Sequence, residues 1–129
     1  MPTGFSSTQL SISRNDGVLI IALGAPSTEQ EDYYLLLQRN EAESTEDAKL
    51  GTSGPHVEFC GQQWSWYRHM LQVRLLRDSI TISMSAEAAR AMRNDGILRI
   101  GFNMTEEQYS QLRLALSECF RDEGYYTEG

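Results

Sequence analysis

Residues 56–73, HVEFCGQQWSWYRHMLQV, gather both histidines, both tryptophans and one of the two cysteines of this 129-residue chain. Such side chains serve as general bases, nucleophiles, metal ligands or aromatic anchors, and which chemistry is open depends on which of them share a face. In strand form His56, Glu58 and Cys60 lie on one side, with Val57 and Phe59 on the other. At ~3.3 Å per residue, His56 and Cys60 stand about 13 Å apart, whereas a Cys–His dyad needs hydrogen-bond reach, roughly 3 Å. That pair fails. His69 meets Cys60 only if the chain folds back near Trp64-Ser65, which leaves a small enzyme using Glu58 with His69 or Cys60 as an alternative. No orienting third group is evident, and Cys60 does not sit at a helix N-terminus that would lower its pKa. Two histidines and one thiol without a fourth ligand do not make a zinc set. No catalytic residue, cofactor or metal is expected.

The aromatic residues open a different use. Trp64, Trp66 and Tyr67 neighbour Gly61, two glutamines and Ser65, the composition of a loop or strand edge. Trp and Tyr offer large contact areas with a polar tip and are enriched in binding hot spots, but they also close the ends of sheets. Trp64 is expected in the core, and Trp66 and Tyr67 stay open between core and surface.

Charge narrows the choice of partner. Eighteen acids against eleven bases leave a net charge of −7, which disfavours nucleic acid or an anionic membrane, since phosphate neutralisation needs clustered cations. It permits steering toward a basic partner. Seven of the acids (Glu29, Glu31, Asp32, Glu41, Glu43, Glu46, Asp47) fall between Thr28 and Ala48 with one base, Arg39. Cys119 and Cys60 are too far apart to resemble a disulfide framework or zinc signature and are expected to be buried free thiols. The longest apolar run, Val18–Leu23, is too short to cross a bilayer. The N-terminal residues lack the pattern of a secretory signal, so a cytoplasmic location is expected.

The elements that must position these residues follow from local patterning. Leu10 and Ile12 alternate with serines before Asp16-Gly17, a hairpin turn that sets Ile12 opposite Ile21 and Leu10 opposite Leu23. Pro26 and the acidic residues 28–32 break the pattern, and Tyr33–Gln38 reads as a buried strand. Residues 40–54 hold almost no apolar side chain and read as a mobile surface loop; about 1–7 and 124–129 are likewise expected to be mobile or disordered. A tight turn at Arg77-Asp78 sets Leu75 against Ile80, Val73 against Ile82 and Leu71 against Met84, with Arg74–Thr81 and Gln72–Ser83 on the wet face. Ser85 caps a helix over 86–93 that exits at Asn94-Asp95-Gly96. A strand over 97–103 follows, then the capping box Thr105–Gln108 flanked by Met104 and Tyr109 as a hydrophobic staple. The final helix aligns Tyr109, Leu112, Leu116, Cys119 and Phe120 on one face. The expected fold is a single α+β domain over 1–129: a mainly antiparallel curled sheet or sandwich of six to seven strands, with two C-terminal helices packed on one face.

The order VLIIALG, DYYLLLQR, an acidic loop, HVEFCGQQWSWY, VRLLRDSITISM, a strand and MTEEQYSQLRLAL resembles immunity protein family ten of bacterial polymorphic toxin systems, over Val18 to Phe120. The resemblance rests on this segment order and on a strand glutamate followed by a glutamine, here Glu58 and Gln62 or Gln63. The family usually carries a glycine-rich or tyrosine-containing stretch after that glutamine, where this chain has Trp64-Ser65-Trp66-Tyr67. The resemblance implies a non-catalytic protein that binds and neutralises a cognate toxin. Glu58, Gln63, Trp66 and Tyr67 are the candidate contacts, supported by Glu41, Glu43, Glu46 and Asp47. The toxin would be basic, and an acidic inhibitor suits a nuclease. The alternative from another class is a structural domain that self-associates as a homodimer through the aromatic segment.

Overall fold

The computed structural model describes residues 3–25, 33–51 and 53–129. The break expected at Pro26 and residues 28–32 lies outside them. Strand β1 (Gly4–Ser7) leads through a corner at Thr8 into β2 (Gln9–Asn15). At that corner the buried Ser7 hydroxyl donates to the carbonyls of Gln9 (2.9 Å) and Gly24 (3.2 Å). Asp16 and Gly17 both take positive φ, 53° and 77°, the type I′ geometry whose twist suits a two-residue hairpin. β2 therefore pairs with β3 (Val18–Ala25) in the expected register, Ile12 opposite Ile21 and Leu10 opposite Leu23.

The chain continues through β4 (Tyr33–Asn40), α1 (Thr45–Leu50), β5 (His56–Phe59), β6 (Ser65–Tyr67), β7 (Met70–Leu75), β8 (Ser79–Met84), α2 (Ala86–Met92), β9 (Ile97–Phe102), α3 (Glu106–Cys119) and β10 (Tyr126–Glu128). These strands form two five-stranded sheets, ordered β1-β9-β8-β7-β10 and β2-β3-β4-β5-β6. The α+β class and the mostly antiparallel pairing agree with the sequence expectation. The strand count does not, because β1 and β10 join as parallel edge strands, β1 along β9 and β10 along β7. Neither carries the apolar alternation that marks a strand locally; their partners lie far away in sequence.

Segments expected to lack regular structure carry elements. Residues 4–7 and 126–128 are strands, and residues 45–50 form a helix whose Ser44 side chain accepts from the Asp47 N–H while Asp47 answers back to the Ser44 N–H. That capping box overrides the polar composition, although α1 buries none of its residues, as a segment without apolar side chains must.

Two helices on one face are also not what forms. α2 is a short turn of helix between β8 and β9, capped by Ser85, and its exit is Arg93 in the left-handed region rather than a glycine. Only α3 is a full packing layer. It lies on the inward face of the second sheet, where Arg39 of β4 donates to the Cys119 carbonyl (3.0 Å) and Arg14 of β2 pairs with Glu118 (2.7 Å). Its start is the expected capping box at Thr105 and Gln108, and Arg77 of the β7–β8 turn holds it by bonds to the Met104 carbonyl and Glu106.

The core is one contiguous cluster. Leu19, Ile21, Leu23, Leu35, Leu37, Val57 and Phe59 from the second sheet meet Val73, Leu75, Ile80, Ile82, Leu98 and Ile100 from the first, with Leu112, Leu116 and Cys119 of α3. One register differs from expectation. A bulge between Met70 and Gln72 puts Met70, not Leu71, opposite Met84, so Met70 is buried and Leu71 is 60% exposed. Below the bulge, Val73–Ile82 and Leu75–Ile80 pair as expected.

Candidate functional site

The period-2 alternation of β3, β4 and β5 divides the second sheet into two chemically distinct faces. Leu19, Ile21, Leu23, Leu35, Leu37, Val57 and Phe59 point inward and are buried. The outward row pairs Ala22 with Leu36, Leu36 with Glu58 and Glu58 with Ser65; the next pairs Ile20 with Gln38, Gln38 with His56 and His56 with Tyr67. These outward side chains are all part-exposed. The face is thus an apolar strip, Val18, Ile20, Ala22 and Leu36, bordered by a polar group of Tyr34, Gln38, His56, Glu58 and Tyr67.

Within that group Glu58 accepts the Tyr34 phenol at 2.5 Å. Burial and this bond together push the Tyr34 hydroxyl up to about 12, so it stays a donor and fixes the carboxylate. The His56 and Tyr67 rings touch at 4.6 Å between centroids, tilted by 49°. Burial holds the His56 imidazole below its ordinary value, with Glu58 pulling the other way, and its Nδ1 is buried without a protein partner.

The structure separates the two aromatics the sequence left open. Trp66 opposes Val57, so its ring faces inward and packs against the core, as Trp64 does. Tyr67 opposes His56 on the outward face. Gln63 is exposed in the β5–β6 turn, where its side chain folds over Gly61. With both tryptophans facing the core, the aromatic segment offers little apolar surface as a homodimer seam.

The Cys60–His69 pairing does not form. The hairpin does fold back at Trp64-Ser65, but Glu58 meets Ser65 and His56 meets Tyr67. Cys60 lies beyond one end of this ladder and His69 beyond the other. His69 instead bonds the Ser85 hydroxyl at 2.7 Å. Among the described residues no three His, Cys, Asp or Glu side chains come together to hold a metal.

The acids of residues 41–47 do not act as a set. Glu43 faces inward and pairs with Arg39 at 2.8 Å. Burial raises its carboxyl, but the Gly54 N–H, Arg39 and Arg121 outweigh it and hold Glu43 below the ordinary carboxylate value. Asp47 caps α1. Glu41 pairs with Arg14 at 2.8 Å, and Glu46 is exposed in the first turn of α1. Because β4 ends at Asn40 and β5 begins at His56, this segment borders the His56–Tyr67 end of the outward face. The inward role of Glu43 was illegible in sequence; an isolated arginine in an apolar strand, Arg39, was the available signal that an acid must meet it.

No helix among the described residues is long and apolar enough to cross a membrane. No curated protein and no solved structure matches the chain. A family model described as Immunity protein 10 matches residues 6–110, which include every strand of the outward face and the start of α3. The chain belongs to the Immunity protein 10 family.

Proposed function

We propose that this protein neutralises a cognate toxin by non-covalent binding, with the outward face of β3–β6 as the contact surface. The family match over residues 6–110 is the observation that carries this reading. The face supports it by its composition: partly exposed apolar side chains beside fixed polar groups, the anatomy of an interface core and rim. Glu58 and Tyr67 are the central contacts, Gln63 the flank, and Glu41, Glu46 and Asp47 a nearby source of negative potential, while Trp66 supports the face from the core side. Glu43 acts through the fold instead.

The partner is a basic protein, and a nuclease fits that description, because a site that binds phosphates is itself cationic. Binding takes place in the cytoplasm, involves no catalysis by the immunity protein, and draws on neither nucleic acid nor membrane. Charge sets the association rate, and the Tyr67–His56 contact with the apolar strip sets the dissociation rate.

The test is co-expression with a candidate toxin, sought among the products of neighbouring genes. Restored growth and a co-purified complex are expected. Absence of both would overturn the reading. Glu58→Gln and Tyr67→Ala, assayed in the same way, locate the surface: unchanged affinity in both would move the contact elsewhere.

A further inference from the structure

The two sheets end in four edge strands, and one of them differs from the rest. Among the described residues β1, β6 and β10 have four, three and three residues. Such short edges are a common protection against unwanted strand pairing. β2 has seven residues, runs in unbroken register from Gln9–Gly24 to Asn15–Val18, and contains no proline, lysine or bulge.

Its type I′ turn closes on the Asn15–Val18 pair, so Asn15, Ser13, Ser11 and Gln9 exchange backbone bonds with β3. The N–H and C=O groups of Leu10, Ile12 and Arg14 then point away from the sheet. Among the described residues β2 pairs with β3 alone, and no turn or loop backbone bond reaches these groups. Beside this edge lies a groove of about 510 Å3 lined by Ile12, Arg14, Gln111, Leu114, Ala115 and Glu118. Leu114 is 73% exposed there.

We propose that a second copy of this chain occupies the edge, pairing β2 with β2 across a two-fold axis at Ile12 to make a continuous ten-stranded sheet. Ile12 is the midpoint of the strand, so an axis there pairs all seven residues. Leu10 then faces Arg14 of the other copy, Ser11 faces Ser13, and Ile12 faces itself. About six backbone hydrogen bonds form from groups that have no partner now. No like charges oppose each other, and each Arg14 keeps Glu41 and Glu118 as counter-ions. Ile12 and Leu114 of both copies close the groove around the axis, an isologous contact of the kind two-fold dimers use. The pairing would also set two outward faces side by side on one sheet.

The mass in solution, measured by sedimentation without any toxin, tests this independently of the toxin-binding reading. Wild type and Arg14→Ala are expected to show twice the chain mass. Arg14→Pro removes an edge N–H that the fold does not use and is expected to halve it, while its circular dichroism stays that of wild type. Should Arg14→Pro fail to fold, Leu114→Glu decides, since it places a charge on the seam at a position the monomer leaves exposed. A wild type that is monomeric at every concentration overturns the proposal. So does a dimer that survives both Arg14→Pro and Leu114→Glu, or one that Arg14→Ala disrupts equally. A monomer whose complex with the co-expressed toxin is lost only in Arg14→Pro would assign the edge to a toxin strand and overturn it too.

Discussion

The Arg39 guanidinium, 8% exposed inside the second sheet, is clamped to the Glu43 carboxylate at 2.8 Å while it also donates to the carbonyls of Cys119 and Arg121. One side chain thereby ties β4, the start of the α1 connection and the end of α3. Removing one member of a buried pair costs about 3–5 kcal/mol when the other charge is left alone. Arg121 stays 3.6 Å from Glu43, so Arg39→Ala should lose the low end of that range, about 3 kcal/mol, in chemical denaturation. Glu43→Gln should lose less, about 1.5–3 kcal/mol, since it keeps an acceptor. A loss under about 0.5 kcal/mol in Arg39→Ala would show the pair to be incidental.

Adjacent residues in β6 should separate stability from binding. Trp66→Ala opens the inward side of the sheet and should cost about 3 kcal/mol, the low end for a truncated core aromatic. Tyr67→Ala should change stability by under about 1 kcal/mol yet weaken toxin binding tenfold or more. Melting curves beside binding isotherms read both. The reverse pattern would place Trp66, not Tyr67, at the partner.

Gly4 is required by a close approach: a Cβ there would lie 1.8 Å from the Arg99 carbonyl oxygen. Gly4→Ala should detach β1 from β9 and cost about 1–3 kcal/mol, as overpacking does. Amide exchange gives the readout, with faster exchange at Arg99, whose N–H donates to the Thr3 carbonyl. Protection equal to wild type would contradict the contact.

Acid should weaken the protein in two stages. His56 has a folded pKa below its ordinary 6.5, so the unfolded chain takes up this proton first. Its contribution is complete above pH 6.5 and is lost as pH falls below that value. Glu43, also depressed, contributes above 4.5 and is lost as pH falls further. His56→Gln should flatten the fall in stability between about pH 7 and 5.5 and leave the lower stage intact. An unchanged slope in that variant would assign the first stage to another group.

Thiol chemistry distinguishes the two cysteines. Cys119 is fully buried in α3, and burial pushes its thiol up to about 12; Cys60 is part-exposed. A thiol reagent applied to the native protein should modify Cys60 and spare Cys119 until unfolding. Equal labelling of both would contradict the packing of α3.

Local chemistry determined much of this protein by itself. The Asp16-Gly17 turn dictated the β2–β3 register, because Asp-Gly readily takes the positive φ at both residues that a type I′ two-residue hairpin requires, and the Thr105–Gln108 capping box marked where α3 begins. The segment order identified the family, and strand spacing alone removed the His56–Cys60 dyad. What tertiary structure decided were the relationships between distant segments. β1 and β10 are strands only because β9 and β7 offer them edges. Glu43 turns inward because Arg39 needs a counter-ion in a dry interior. The Met70 bulge exposes Leu71 against its own periodicity. Trp66 and Tyr67 could not be told apart in sequence, since period 2 says that neighbours face opposite ways but not which way is in. The pairing of Trp66 with Val57 and Tyr67 with His56 settled that, because one face of β5 was already committed to the core.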